Sequence, residues 1–145
     1  MTPTPTPTPT QSPAVALVQT IYAEVGNGNL DAVLGMLHPD FSLEQSSALP
    51  FAGTWRGEEG FKALGAAIYA AWPDFSVKPV AFTAIGDVVL VITQLKGTNS
   101  SGSEPLDQQM IEYWRIVDGK AIECRPFYFD PLAAARSAGS AITVG

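Results

Sequence analysis

Apolar residues recur every three or four positions through the first half of the chain and at every second position through the last third. The first period belongs to helices that bury one face, the second to strands that bury one side. Ser12 followed by Pro13 is a helix N-cap with proline in the first turn. Ala14, Leu17, Val18, Ile21, Tyr22 and Val25 then mark a buried face, and Gly26 to Asn29 stop the helix. A second helix is predicted over Leu30 to Leu37, with Val33, Leu34 and Leu37 inward and His38-Pro39-Asp40 ending it. Phe41 to Gln45 alternates as a strand with Phe41, Leu43 and Gln45 on one side. A loop is expected through Leu49 to Gly53, and a third helix from Gly57 to Trp72, terminated by Pro73.

Beyond Pro73 the period is two. Phe75–Thr83, Val88–Lys96, Leu106–Val117 and Ala121–Phe129 read as strands, divided by turn residues at Gly86-Asp87, at 99–103 and at Asp118-Gly119. Asp-Gly between two alternating runs is a strong signal for a short hairpin. From Ala133 the chain is small and polar, with a helical turn expected before it frays. Helices followed by hairpin-linked strands imply an α+β fold, with three N-terminal helices packed on one face of a curved antiparallel sheet. A long sheet curling round a few helices leaves a cone, and such hollows are where ligands bind.

Thr2 to Thr10 alternates threonine and proline, which predicts an extended, solvated arm over residues 1–12. It reads as a disordered extension or as a ligand for a proline-recognising partner. The domain proper is expected over 13–137, with a flexible tail at 138–145.

Composition narrows the partners. Of 145 residues, 46% are hydrophobic and only 15% charged, enough for one core. The net charge of −6, with no cluster of Lys or Arg, argues against a nucleic-acid partner. A single cysteine and a single histidine exclude a disulfide framework and the usual zinc sites, so no metal or other cofactor is expected. The first residues lack a secretory signal pattern and no apolar run is long enough to span a bilayer. A cytoplasmic protein with no membrane partner is the expectation.

Several motifs together carry a family resemblance. Gly28-Asn29-Leu30-Asp31, His38-Pro39-Asp40-Phe41, Gly53-Thr54-Trp55-Arg56-Gly57, Trp72-Pro73-Asp74-Phe75 and Trp114 to Lys120 stand in an order and spacing similar to SnoaL-like proteins of the nuclear-transport-factor-like superfamily. The resemblance spans about residues 14–136. It implies a cone-shaped α+β barrel, often a homodimer packed through the outer sheet face. Relatives include ketosteroid isomerase, polyketide cyclases, dehydratases and epoxide hydrolases, so fold alone does not name an activity.

The catalytic positions of those relatives are only partly kept. An ungapped match puts the isomerase tyrosine at Ile21, one step from Tyr22, and the isomerase base at Gln45, which cannot take a proton from carbon. The isomerase oxyanion acid falls on Glu112. The acid that polyketide cyclases carry on the last strand is replaced by Pro126. Classical steroid isomerisation and the known cyclase mechanism are therefore not expected.

The strands' own alternation places Met110, Glu112, Trp114 and Ile116 on one face, and Ile122, Cys124, Pro126 and Tyr128 on the corresponding face of the last strand. With the family match, these sets face the cavity, where Glu112 would be the only carboxylate. Burial among such neighbours should raise its pKa and suit it to acid–base chemistry or to oxyanion donation. The plain alternative is a structural Glu112 bonded to Gln45 or to backbone. Gln45 offers a donor and an acceptor to a ligand, or satisfies a buried partner. Trp114 and Tyr128 are walls for a planar ligand or ordinary core; Phe51 and Trp55 lie on a loop that could rim the mouth. Cys124 has no visible base and reads as an inert buried thiol. His38 reads as a helix C-terminal cap. On the opposite face Arg115, Arg125 and Glu123 interleave with Tyr113, Phe127 and Phe129, a mixture suited to a homodimer interface.

Two functions follow. One is a cofactor-free isomerase, cyclase or dehydratase using Glu112 on an apolar, cyclic or carbonyl-bearing compound. The other is a ligand-binding or accessory domain without turnover.

Overall fold

A computed structural model describes residues 12–102 and 104–139. The Thr-Pro arm, Ser12 apart, and the last six residues lie outside this range. The chain forms α1 (Pro13–Gly26), α2 (Leu30–Leu34), β1 (Leu37–Gln45), β2 (Gly53–Arg56), α3 (Gly57–Ala71), β3 (Ser76–Ile85), β4 (Val88–Gly97), β5 (Leu106–Val117), β6 (Lys120–Tyr128) and α4 (Pro131–Ser137). The six strands make one curved, unclosed sheet in the order β2-β1-β6-β5-β4-β3. Every neighbouring pair is antiparallel except β1 with β6, which is parallel, so the first long strand lies beside the last. A parallel pair needs a long crossover, and here the intervening helix and meander supply it.

Local chemistry sets most boundaries. The Ser12 hydroxyl accepts from the Ala14 amide at 3.2 Å and Pro13 opens α1. Glu58 and Glu59 sit in the first turn of α3, where carboxylates favour the helix dipole. Asp118 (φ 53°) and Gly119 (φ 72°) both take left-handed backbone, the conformation that a tight β5–β6 hairpin demands.

Three local expectations are corrected. Helix α2 ends at Leu34, and His38-Pro39-Asp40 belongs to β1 rather than to a helix end. Pro39 has no N–H, and the β1–β6 register shifts between Leu37 and Ser42; the Asp40 amide instead donates to His38 Nδ1 at 3.0 Å. His38 thus caps no helix. Gly53–Arg56, read in part as loop, pairs as a short strand with the end of β1. In β6 a bulge matches Ile116 with Ala121, next to Arg115 with Glu123. Ala121 is consequently the buried residue there, and Ile122 is only half-buried.

The core fills the concave side. Val18, Ile21 and Tyr22 of α1 and Val33 of α2 meet Phe41, Val89, Val91, Leu95, Trp114 and Cys124 of the sheet. At one end Trp72 is fully buried and its indole N–H donates to the Ser137 hydroxyl at 2.9 Å, tying α4 to the end of α3. Gly97 lets the Trp72 side chain close over β4, since a Cβ there would lie 2.8 Å from Trp72 Cβ.

Candidate functional site

Strand alternation, continued across the register, decides what faces the hollow. Val91 pairs with Glu112 and Glu112 with Pro126, while Thr93 pairs with Met110 and Met110 with Tyr128. Each of these rows points inward. Leu43 pairs with Cys124 in the parallel ladder, so two residues further on Gln45 lies beside Pro126 and joins the Glu112 row. Above these rows α1 contributes Ile21, Tyr22 and Val25, and α3 contributes Phe61, Leu64 and Ile68. Together they enclose a cavity of about 480 Å³, within the usual range for small-molecule sites. Its lining is predominantly apolar. Among the described residues Glu112 is its one carboxylate and Lys62 its one cation.

Glu112 is held from two sides. The Tyr22 hydroxyl donates to Oε1 in a short contact, and the Cys124 thiol lies 3.5 Å from Oε2. Trp114 Nε1, which can only donate, gives its proton to the Tyr22 oxygen at 3.1 Å. The phenol proton is thereby directed at Glu112, and the carboxylate acts as an acceptor at the end of a short relay. Tyr22 and Trp114 also meet edge to face, with centroids 6.0 Å apart.

The electrostatics follow from burial. Loss of water raises the Glu112 pKa, and the Tyr22 and Cys124 hydrogen bonds oppose that rise only in part. Burial, with the nearby Glu112 charge, pushes Tyr22 and Cys124 well above their ordinary values. Both remain protonated donors. Tyr128 is likewise raised, mainly by burial.

A second polar pair stands at the other end of the row. The Tyr128 hydroxyl donates to Gln45 Oε1 at 3.0 Å. Gln45, Pro126 and Tyr128 also wall a shallower outer hollow of about 680 Å³ that runs along Ser46, Ser47 and Thr54. These three residues therefore partition the two spaces.

Of the residues singled out from sequence, Gln45, Met110, Glu112, Trp114 and Tyr128 line the main cavity. Phe51, Trp55 and Cys124 do not. Phe51 is buried against Trp72 with centroids 5.9 Å apart, and the half-buried Trp55 donates its indole N–H to the Phe51 carbonyl at 3.0 Å, so Phe51 packs as core and Trp55 is tied to its backbone. Cys124 is fully buried behind Glu112 and touches the carboxylate instead of the cavity. Glu112 is bonded to Tyr22, not to Gln45. Tyr22 is the residue that sequence reasoning passed over. The signal was present, because a tyrosine inside a buried helical stripe needs a partner for its hydroxyl. Glu112 was the one acid expected on the facing strands.

An α+β cone with a buried acid in an apolar hollow defines a class of small-ligand domains. The chain belongs to the SnoaL-like domain family, whose sequence profile matches residues 18–124. No curated protein matches it in sequence. Solved structures of similar fold include TerC co-crystallised with polyporic acid, 23% identical with a TM-score of 0.79 over 89% of this chain and 100% of that one. An NTF2-like protein of unknown function from Burkholderia pseudomallei K96243 is 19% identical with a TM-score of 0.81, covering 90% and 100%. A protein from Jannaschia sp. CCS1 assigned to the SnoaL-like polyketide cyclases is 22% identical with a TM-score of 0.76, covering 92% and 96%. At these identities the likeness describes the fold.

Among the described residues no helix is long and apolar enough to cross a membrane, and no three His, Cys, Asp or Glu side chains gather as a metal site.

Proposed function

We propose that the chain binds a small apolar compound, cyclic or carbonyl-bearing, in the cone. It then acts as a cofactor-free isomerase, cyclase or dehydratase in which Glu112 moves the proton. The observation that carries this reading is the Trp114–Tyr22–Glu112 relay opening on an apolar cavity. A desolvated carboxylate with a raised pKa is a stronger base than an exposed one, and Tyr22 returns a donor to the oxygen it loads. The direction of the relay favours Glu112 as base over Glu112 as neutral oxyanion donor. The ligand in the TerC structure, polyporic acid, is consistent with a cone that holds a small organic molecule.

Deuterium uptake at the α-carbon of a panel of cyclic ketones, followed by NMR, tests this directly. Wild-type protein should catalyse exchange, and Glu112→Gln should lower it by about 10²–10⁴-fold. Exchange left unchanged by the substitution would remove Glu112 from the mechanism. A second reading, binding without turnover, is favoured by Pro126 and Gln45 standing where related enzymes place acids. Ligand retention without exchange on any panel member would select it.

The outer sheet face supports a homodimer. Ile92, Ile111 and Phe127 fall in one exposed row across β4, β5 and β6. Beside it Arg125 lies over the Tyr113 ring at 6.0 Å and pairs with Glu123 at 3.4 Å. An exposed apolar row rimmed by charge is suited to a partner copy. Light scattering should give twice the chain mass, and Phe127→Glu should give a monomer.

A further inference from the structure

The two polar ends of the cavity are opposite in hydrogen-bond sense. At one end Glu112 receives protons from Tyr22 and Cys124, and a carboxylate has further lone pairs to offer, so that end accepts. At the other end Gln45 uses its carbonyl oxygen for Tyr128, and its amide N–H pair has no partner among the described residues. Gln45 is only 5% exposed. Yet no buried side-chain nitrogen or oxygen among the described residues is left without a partner. The amide nitrogen is therefore not sealed in protein but reaches open space, and Gln45 lines both the main cavity and the outer hollow. Burial and the bond to Tyr128 hold the amide in place, so its two donors are presented in a fixed direction.

Between the two ends stands Pro126, whose ring is apolar and which has no N–H. Gln45 and Glu112 belong to strands separated by β6, two inter-strand spacings or roughly 10 Å between backbones. Both side chains line the same cavity. A ligand engaging both must carry its polar groups across a ring framework, not on neighbouring carbons.

We infer that the cavity selects a flat ring compound bearing a carbonyl oxygen at the Gln45 end and a hydroxyl or enol at the Glu112 end. This rests on the ligand-binding reading of the cone and narrows it to a directional pair of groups. The hydroxyl end donates a hydrogen bond to the Glu112 carboxylate. The carbonyl end fixes the register of the ring, and a ligand lacking it leaves buried donors without acceptors.

A matched ligand series tests the inference by calorimetry on the whole chain: 6-hydroxy-1-tetralone, which carries both groups across a fused ring, 1-tetralone, which lacks the hydroxyl, and the corresponding tetrahydronaphthol, which lacks the carbonyl. The two-group compound should bind wild-type protein at least about tenfold tighter than either single-group compound. Gln45→Leu should reduce its affinity to that of the tetrahydronaphthol, whose own binding should not weaken, because the substitution removes donors that this compound leaves unpaired. Gln45→Met, equal in length, repeats the measurement should leucine disturb the packing. Binding of all three compounds with no advantage for the pair, or an advantage that survives both substitutions, overturns the inference while leaving the ligand cavity standing. Failure of all three to bind overturns the cavity reading and this inference with it.

Discussion

Tyr22→Phe removes one oxygen from the centre of the buried relay, and its consequences can be worked out for each neighbour. The Trp114 indole N–H, in a side chain 3% exposed, loses its acceptor. An unpaired buried donor costs about 1–3 kcal/mol, and the benzyl ring of phenylalanine preserves the packing, so this cost should dominate the stability change. For a domain of this size that corresponds to a fall in melting temperature of roughly 4 °C per kcal/mol. Glu112 loses a donor that favours its charged form while its burial is unchanged, so its pKa must rise further. Carbon-13 NMR of glutamate-labelled protein, with Glu112→Gln to assign the resonance, reads that pKa. Thermal melts read the stability. The double variant Tyr22→Phe/Trp114→Phe removes donor and acceptor together and should be less destabilised than the sum of the two single changes. A Glu112 titration that stays put or moves down in Tyr22→Phe would refute the reasoning, because the hydroxyl would then not be donating to the carboxylate.

Further expectations follow from burial elsewhere. Glu112 holds its proton more tightly in the folded state than in the unfolded one. Stability should therefore fall as pH rises from the ordinary carboxylate value of 4.5 to the Glu112 pKa, then level off. Melting curves of Glu112→Gln should lack that slope; a wild-type slope of opposite sign would contradict the burial argument. Gly97→Ala places a methyl 2.8 Å from the Trp72 side chain and should cost about 1–3 kcal/mol, measured by urea unfolding. Ser137→Ala leaves the Trp72 indole N–H without its hydroxyl acceptor and should cost a similar amount, about 1–3 kcal/mol. The Cys124 thiol, fully buried and with its pKa raised, should resist iodoacetamide in native protein and react on unfolding, as mass spectrometry can show.

The fold was legible where local chemistry decides structure. Ser12-Pro13, Pro73 and Asp118-Gly119 each fix a boundary through backbone properties that the chain carries with it. The two faces of β5 were legible for the same reason, since a period of two divides its residues into two sets, and the family resemblance chose the inward one. What escaped depended on contacts between distant segments. The short β2 strand exists only because β1 offers an edge at Ser42 to Gln45. The parallel pairing of β1 with β6 cannot be deduced from a row of alternating residues. Tyr22 lies on a helical stripe wide enough for Ile21 or Tyr22 to meet the sheet, and an ungapped match chose Ile21. Phe51 and Trp55 looked like a rim because aromatic loop residues near glycine often are. Here the backbone carbonyl of Phe51 gives Trp55 a partner and draws both inward.

The parallel seam between β1 and β6 also constrains how the molecule is made. A ribosome delivers Tyr128 83 residues after Gln45, yet Gln45, Pro126 and Tyr128 must stand side by side before the hollow has a floor. Until then α3 on β1 and β2, and α1 on β3 and β4, form two halves with no strand to join them, which leaves apolar surface of the nascent chain open to aggregation. Binding competence should arise only when β6 joins the two halves, and a chain cut before β6 should hold no ligand.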